Sequence, residues 1–303
     1  RQGFDASIYA NMGEMDNKGV DANLEYQTRI GNKVGLRLFG NLTYSKNKIV
    51  FRDEPAMQYA YQKSEGTRYG EFYGYIAEGY FQSEEEIKKS PRQMRELAPG
   101  DIKYKDLNDD GVIDANDQCY LGKSWFPSWS YGMGFNINYH NFDLALFFQG
   151  VSDVSIMANG GSIDTGNGDW GASGVGIVPF TGMGLNPSNV ITKALDRWTA
   201  DNPRADAWYP RMTANATTND NNYVNSTHWL KDGSYLRLKQ ASLGYTLENK
   251  KLMDKGIEYL YFYLSGQNLL TFSKFKLWDP ELGSNGAKYP LSRMVTLGMR
   301  VSF

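Results

Sequence analysis

The segment DLNDDGVIDAND, residues 106–117, carries oxygen-bearing side chains at the spacing of a cation-binding loop. These oxygens stand at loop positions 1, 3, 5, 9 and 12, which are Asp106, Asn108, Asp110, Asp114 and Asp117. Gly111 lies at position 6, where such a loop turns sharply, and Val112 at position 7 offers its backbone carbonyl. Calcium accepts about six to eight oxygens in this closing geometry and tolerates it better than magnesium, the alternative ion. The spacing therefore predicts a calcium site, and the alternative is a solvated acidic turn without an ion.

The surroundings of this loop indicate what a bound ion would do. Asp117 replaces the bidentate glutamate that is usual at position 12, so its side chain reaches less far, whereas Ile113 is expected to pack inward. The sequence has no second loop of this type to pair with it, and the following LGKSWFPSW lacks the pattern of an exiting helix. We therefore expect a structural calcium ion that stabilises a long loop, rather than a calcium sensor.

The sequence contains no pattern typical of a catalytic site. His140 and His228 are far apart, and there is no HExxH motif, no GxSxG motif and no phosphate-binding glycine loop. The lone Cys119 excludes a disulfide within this chain and supplies no zinc-ligand cluster. The GMG of residues 132–134 lies inside an alternating strand, where small residues are commoner than cofactor loops. We therefore predict that the protein is not an enzyme.

Four of the seven tryptophans fall between residues 151 and 234, and they are Trp170, Trp198, Trp208 and Trp229. Such side chains could stack on sugar rings or dock a partner protein. The alternative is that they pack this segment against itself or against its neighbours. In the same segment, Ser188 followed by NVITKALDRW predicts a capped helix with Val190, Ala194 and Trp198 on one face.

Composition limits the class of protein. The 303 residues carry a formal net charge of -2, which gives no reason to expect a nucleic-acid partner. No stretch approaches the roughly 18 apolar residues of a membrane-spanning helix, and the mean hydropathy is -0.54. The 21 Tyr, 15 Phe and 7 Trp suit both the aromatic belts of a membrane barrel and a carbohydrate-binding sandwich. A start at Arg1, without Met, indicates a mature, cleaved or partial chain.

Alternation of apolar and polar residues predicts seven strands of about ten residues, joined in places by tight turns into antiparallel hairpins. In the terminal MVTLGMRVSF, the residues from Val295 to Phe303 put an apolar side chain on one face and a polar one on the other in strict turn. The predicted spans are 20–26, 34–44, 129–139, 142–150, 235–247, 258–270 and 292–303.

The long connections 46–128 and 151–234 decide between a soluble and a membrane sheet. Structureless loops of this length are unusual in a compact soluble domain, whereas transmembrane barrels combine short periplasmic turns with long outer loops. With Phe303 in the periplasm, both long connections fall outside, provided that 69–81 is not a single crossing. We therefore predict an all-β fold, an antiparallel transmembrane β-barrel whose apolar faces contact lipid.

Several segments resemble the C-terminal part of SusC-type (SusC/RagA family) TonB-dependent outer-membrane transporters. They are NMGEMDNKGVDANLEY (11–26), PGDIKYKDLNDDGVIDANDQ (99–118), FDLALFFQG (142–150), DGSYLRLKQASLGYTL (232–247), YLSGQNLLTFSKFKLWDPELGSNG (263–286) and the terminal VTLGMRVSF. The resemblance covers essentially the whole chain, 1–303. It implies a barrel of about 22 strands closed by an N-terminal plug that this chain lacks.

The resemblance also implies a function and partners. The expected function is TonB-dependent import of oligosaccharides, or oligopeptides, across the outer membrane of a Gram-negative bacterium. The expected partners are a SusD-type surface lipoprotein that lids the barrel and the TonB complex, contacted through the missing N-terminal part. Residues 188–210 are expected to seat the lipoprotein, with Trp198 and Trp208 as anchors. Phe303 resembles the signal by which the assembly machinery recognises outer-membrane barrels.

A second interpretation remains open from the residues alone. A secreted, calcium-stabilised carbohydrate-binding β-domain would also account for the aromatic content and for the predicted metal loop. It predicts a protein that needs no detergent, and detergent dependence of the full-length protein separates the two interpretations.

Overall fold

The computed structural model describes residues 13–31, 33–159, 192–212, 221–284, 286 and 289–303. The described strands, in chain order, are β1 (Gly13–Ile30), β2 (Val34–Arg52), β3 (Glu71–Gly74), β4 (Ala77–Tyr80), β5 (Ile102–Tyr104), β6 (Cys119–Ser124), β7 (Trp129–Tyr139), β8 (Phe142–Ser152), β9 (Ser155–Met157), β10 (Leu230–Asp232), β11 (Tyr235–Leu247), β12 (Tyr259–Ser273) and β13 (Met294–Ser302). The α-helices are α1 (Glu84–Lys89) and α2 (Lys250–Met253), and short 3-10 helices cover Ala60–Gln62, Ala115–Asp117, Thr192–Leu195 and Pro280–Leu282.

Seven strands form one antiparallel sheet in the order β1-β2-β7-β8-β11-β12-β13, so each of them pairs with the next one along the chain within this sheet. The seven predicted spans are thereby confirmed. The structure extends β2 to Arg52, because backbone pairing with β1 continues past the alternating segment, so the connection is 53–128 rather than 46–128. The second connection is 153–234. Strands β1 and β13 are not paired with each other, and the described residues form an open sheet.

The register of the sheet gathers the apolar side chains on one face. Directly opposite residues of an antiparallel pair share a face. One row of such partners crosses six strands, through Leu36, Ile137, Leu144, Leu243, Leu264 and Leu297. Leu297 is 81% exposed, Leu243 and Leu264 are about half exposed, and the other three members of the row are half-buried. An exposed apolar face that continues across the whole sheet is the outer face of a transmembrane barrel.

Aromatic rings mark both ends of this face. Tyr44 and Trp129 meet at one end with their ring centroids 4.4 Å apart, and Phe142 and Tyr245 meet at the other end at 4.7 Å. Strand β7 has 11 residues between the two levels, counted from Trp129 to Tyr139. At a rise of about 3.3 Å per residue and a tilt of about 40°, these residues span about 25 Å, the height of the apolar band of such barrels.

The turns at the Phe142 end are tight. Three residues, 31–33, join the paired Ile30 and Val34, and two residues, 140–141, join the paired Tyr139 and Phe142. Gly31 and His140 have the positive φ values typical of tight hairpin turns, 58° and 51°. The third turn contains α2, whose first turn is capped by the side chain of Asn249 accepting a hydrogen bond from the Lys251 amide. Short turns at one end leave the long connections together at the opposite end.

The two long connections fold into one body at that end. Its buried core contains residues from both connections, namely Tyr75, Tyr80, Ile102, Tyr104, Ile113, Met157, Ala194, Trp198, Ala207, Tyr209 and Trp229, which we call the loop core. Strands β3 and β4 pair with β6 and β5, outside the seven-stranded sheet. Residues 69–81 are therefore not a membrane crossing, as predicted.

The helix predicted from Ser188 differs in the structure. Ser188 and Val190 lie outside the described residues, and the described part of this segment begins with the short 3-10 helix Thr192–Leu195. Beyond it the chain is extended, because the Trp198 amide donates to the Tyr209 carbonyl at 2.9 Å. The tertiary pairing overrides the helical spacing. The acidic segment 83–89 contains the helix α1, which is capped by Ser83. Within the described part of the chain, no helix is long and apolar enough to span a membrane.

Candidate functional site

The inner face of the sheet carries polar and aromatic side chains. Phe39 and Phe147 stack with their ring centroids 6.0 Å apart, and the guanidinium of Arg37 lies 5.0 Å from the centroid of the Phe39 ring. Arg37 is paired with Glu25, its Nε lying 2.8 Å from Oε1. Gly134 leaves room for Phe39, because a Cβ there would lie 2.6 Å from the tip of that ring. A flat aromatic surface beside a guanidinium group can contact planar and polar groups of a passing molecule.

A polar recess of about 520 Å³ opens on the same face near the tight turns. Asn136, Asn138 and Asp143 line one side of it, and Tyr261 and Arg300 line the other. The Tyr261 hydroxyl donates to Asp143 Oδ2 at 3.0 Å. The recess offers both carboxylate and guanidinium groups, so it suits a polar protein or cargo surface.

An ion cluster closes the inner face at the opposite end. Arg237 on β11 is 2% exposed, and its Nη2 lies 2.5 Å from Asp279 Oδ1 and 3.4 Å from Glu281 Oε2. The Tyr235 hydroxyl donates to Glu281 Oε1 at 2.8 Å. These contacts bind the β12–β13 connection to the wall of the sheet. No local pattern in the sequence predicts this cluster, because Arg237 and the DPE of residues 279–281 are about 40 residues apart along the chain.

Polar contacts between the two long connections surround the loop core. The Ile102 amide donates to Asn222 Oδ1 at 2.9 Å, and Gln93 Nε2 donates to Asn221 Oδ1 at 2.8 Å. Asp101, which is fully buried, accepts from Asn222 and pairs with Arg211. Buried polar groups that satisfy one another in this way fix the relative position of the two connections.

The described tryptophans of the second long connection are packed into or against the loop core, whereas surface anchors would be exposed. Trp198 and Trp229 belong to the loop core, with exposures of 6% and 0%. Trp208 packs against that core from its edge, and Trp170 lies outside the described residues. Trp198 covers Gly100 so closely that a Cβ there would lie 2.2 Å from the indole. This burial favours packing of the connections against each other, so contact of these rings with cargo or a partner stays a prediction.

The segment 106–117 forms a closed loop held by its own side chains. Asp106 Oδ2 accepts from the Gly111 amide at 2.8 Å, and Asp110 Oδ1 accepts from the Val112 amide at 2.9 Å. Asp117 Oδ1 accepts from the Leu107 amide at 2.7 Å, and so joins the two ends of the loop. The Asn108 and Asp114 side chains also bond to amides two residues ahead. Ile113 is 1% exposed within the loop core, as expected from its position in the loop.

The donor set of this loop has one unsatisfied atom. Asp106 Oδ1 is buried and accepts no hydrogen bond, although the other oxygen of the same carboxylate does. Among the described residues, no group of three or more His, Cys, Asp or Glu side chains stands in a metal-binding arrangement. The loop therefore has the ligand types and an available carboxylate oxygen, while its carboxylates do not converge in this structure.

The two histidines and the cysteine lie in separate places. His140 occupies a tight turn, and His228 packs edge-on against Trp229 with 4.7 Å between ring centroids. Burial, with the nearby Lys231 ammonium, lowers the pKa of His228 to about 4, so the imidazole is neutral near pH 7. Burial raises the pKa of the Cys119 thiol. The His228 imidazole and the Cys119 thiol are therefore both uncharged near pH 7.

Phe303 lies at the end of β13, on the outer face of the sheet. Phe303 lies two residues after Val301, so by strand alternation it shares the outer face with that side chain. The Phe303 side chain is 91% exposed. An assembly signal at this position stays a prediction.

Comparison with known proteins gives a consistent assignment. TonB-dependent receptor P3 of Formosa agariphila is 26% identical to this chain over 326 residues, and TonB-dependent receptor P26 of the same organism is 28% identical over 327 residues. These alignments include 98% and 99% of this chain but 30% of each relative. A scan against models of protein families finds no match.

Solved structures show the same fold. The RagAB peptide importer in its open-open state matches 98% of this chain with a TM-score of 0.68 at 22% identity, and the match includes 30% of that chain. The chain thus spans about a third of the length of the receptors it matches. Its seven-stranded sheet corresponds to a portion of their barrel. Over nearly its whole length, this chain is therefore similar in sequence to TonB-dependent receptors and similar in fold to a portion of the RagAB peptide importer.

Proposed function

We propose that this chain forms a wall and part of the mouth of a receptor that imports oligosaccharides or oligopeptides across the outer membrane of a Gram-negative bacterium. The observation that carries the proposal is the seven-stranded sheet with a continuous exposed apolar face outside and a polar face inside. In a barrel wall, the apolar face of such a sheet contacts lipid and the polar face lines the lumen. Import driven through TonB is inferred from the receptors that the chain resembles.

The cargo class rests on the inner face. The stacked rings of Phe39 and Phe147, with the Arg37 guanidinium over Phe39, offer contacts to sugar rings as well as to peptide groups. The RagAB structure that shares this fold is a peptide importer, which supports oligopeptides as one of the two cargo classes. We propose that cargo moves past this surface and that no residue of the chain acts on it chemically.

We further propose that a SusD-type surface lipoprotein lids the barrel at the end where the loop core lies. Loops that are folded and mutually bonded offer a firm seat, since little conformational entropy is lost when a partner binds them. In the proposed seat, 188–210, Trp198 is buried, whereas Leu195 is 76% exposed and available for contact. The seat is therefore proposed to present Leu195 and the edge of Trp208, with Trp198 supporting them from below.

A calcium ion is proposed in the loop 106–117, with magnesium as the alternative. Asp106, Asn108, Asp110, Asp114 and Asp117 would hold it with side-chain oxygens and Val112 with its carbonyl. Asp106 Oδ1, buried without a hydrogen-bond donor, supports the proposal. The ion would neutralise the carboxylates and stabilise the loop that carries Ile113 into the loop core.

Purification of the full-length receptor tests the proposed function. We expect it to require detergent, to co-purify with a surface lipoprotein and to release a bound oligosaccharide or oligopeptide that mass spectrometry identifies. Cells should accumulate that cargo, labelled, in the periplasm, and a protonophore should abolish the accumulation. A protein that stays in the aqueous fraction without detergent would instead support the secreted carbohydrate-binding domain.

A further inference from the structure

Strands β1 and β2 extend beyond the outer aromatic level as a two-stranded ribbon. Tyr44 pairs with Val20 at that level, and the pairing continues to Arg52 opposite Gly13. One face of the ribbon is covered, because Ile49 is 8% exposed and the Tyr69 amide donates to Asn47 Oδ1 at 2.7 Å. The opposite face continues the lipid-facing side of the barrel wall.

Three lysines occupy this outer face directly beyond the aromatic level. Lys18 pairs with Lys46, and Lys48 lies two residues further along β2, opposite Asp16. Because the register is regular from Met15 to Ile30, these residues share the face of Val20 and Tyr44. The side chains of Lys18, Lys46 and Lys48 are all exposed.

This arrangement places like charges together. Directly opposite like charges destabilise a strand pair. Two carboxylates of β1 lie on this face of the ribbon, Asp16 opposite Lys48 and Glu14 two residues before it. The ion pairs found among the described residues involve none of the three lysines. The face thus has a surplus of positive charge that an external anion could neutralise.

The position of the lysines selects the anion. Two residues beyond Tyr44 is about 7 Å along the strand, where the apolar band gives way to lipid headgroups. Cross-strand Cβ atoms lie about 5 Å apart, so flexible lysine side chains can converge on one phosphate. We propose that Lys18, Lys46 and Lys48 bind a phosphate group of a glycolipid in the outer leaflet of the membrane.

This inference rests on the proposed placement in the outer membrane, but its test does not require transport. The full-length receptor is mixed in detergent micelles with diphosphoryl lipid A, or with dephosphorylated lipid A of the same acyl chains, and native mass spectrometry measures the lipid retained. We expect the phosphorylated form to be retained at least about tenfold better. The variant with Lys18→Gln, Lys46→Gln and Lys48→Gln should lose this preference.

Matched variants control for net charge and folding. Replacing Lys250, Lys251 and Lys255 by Gln removes the same charge at the other rim and should keep the preference. Replacing Lys18, Lys46 and Lys48 by Arg should keep it as well, because the positive charge remains. The heat-modified gel mobility of folded barrels should be the same in all variants.

Three outcomes would overturn the inference. One is unchanged lipid retention in the Gln variant at the ribbon, which would show that the three lysines are solvated surface residues that do not bind lipid. Another is an equal loss in the control at the other rim, which would indicate non-specific charge attraction. The third is complete displacement of lipid A by inorganic phosphate, which would assign the site to free phosphate. Cargo import by the Gln variant that equals wild type leaves the proposed function intact in each case.

Discussion

Asp106 has one oxygen bonded to the Gly111 amide and one buried oxygen without a partner. An unpaired buried carboxylate oxygen costs free energy unless a cation or a donor reaches it. A calcium ion would remove that cost and hold the two ends of the loop 106–117 together. The Asp106 Oδ1 atom therefore connects the sequence motif with the stability of the loop, which can be measured with and without calcium.

Substitution of Asp106 by Asn tests this link. The change keeps the size of the side chain but removes a charge, so we expect calcium affinity to fall at least about tenfold, roughly 1.4 kcal/mol. In wild type, chelation of calcium should make residues 82–128 sensitive to protease, and Asp106→Asn should show that sensitivity with calcium present. Limited proteolysis of the full-length receptor measures both.

Asp109→Asn is the matched control. Asp109 lies in the same loop, but it is not at a ligand position, and Asn tolerates its positive φ of 57°. The control should keep calcium-dependent protection. Equal protease resistance of wild type with and without the ion would contradict a stabilising calcium site.

The ligand pattern of this loop is visible in the sequence because its residues are close along the chain. The positions of Trp198 and Arg237 are not, because their partners lie far away in sequence, at Gly100 and at Asp279. The spacing of Val190, Ala194 and Trp198 favoured a helix. Pairing of Trp198 with Tyr209 prevents one in the described part of that segment.

At the scale of elements, the loop core is a folded unit separate from the barrel wall. It draws side chains from the connections 53–128 and 153–234, and buried Asn221 and Asn222 bind the two together. Its stability depends on apolar packing in water, whereas the wall depends on lipid and on backbone ladders. The two units should therefore respond differently to mutation.

Trp198→Ala should open the loop core and leave the barrel folded. Loss of a buried Trp typically costs about 3–5 kcal/mol, enough to unfold a unit of this size locally. We expect amides of residues 192–212 and 221–229 to exchange hydrogen much faster, with unchanged heat-modified mobility of the barrel. Hydrogen exchange with mass spectrometry and gel electrophoresis measure the two effects.

Trp125→Ala provides the control for this substitution, because its side chain is 47% exposed and lies outside the loop core. It should change exchange in 192–212 little. If Trp198→Ala leaves exchange unchanged but releases the lipoprotein, Trp198 is instead a partner anchor, as its residue type and position in the sequence predict.

The seven strands of the sheet were predictable because alternation with a period of two is a local signal that each strand repeats. Strand ends were predicted less well. Strand β2 continues to Arg52 through Lys46 and Lys48, which interrupt the apolar pattern while the backbone pairing with β1 continues. The short strands β3 to β6 depend on contacts between distant segments, which no local pattern carries.

At the scale of the whole molecule, the terminal aromatic residue lies on the outer face of the sheet. Phe303 adds an exposed ring beyond β13, next to the row of lipid-facing side chains. Deletion of Phe303 should lower the amount of receptor in the outer membrane several-fold, with unchanged cargo binding per assembled receptor. Quantitative immunoblotting of outer-membrane fractions measures the amount.

Phe272→Ala separates the loss of a ring from the loss of a terminal signal. Phe272 is also lipid-facing and 56% exposed, but it lies within β12. This variant should assemble at nearly wild-type levels. Equal amounts of the Phe303 deletion and wild type would show that the terminal residue is not needed for assembly.

The joint origin of the loop core sets an order of events during biogenesis. Its residues span from Tyr75 to Trp229, and the hairpin of β7 and β8 lies between the two contributing connections. With both connections outside as proposed, each must cross the bilayer before either can bury its apolar side chains. The loop core then folds last. Once folded, it cannot pass back through the bilayer, so its formation makes the insertion of the neighbouring strands irreversible.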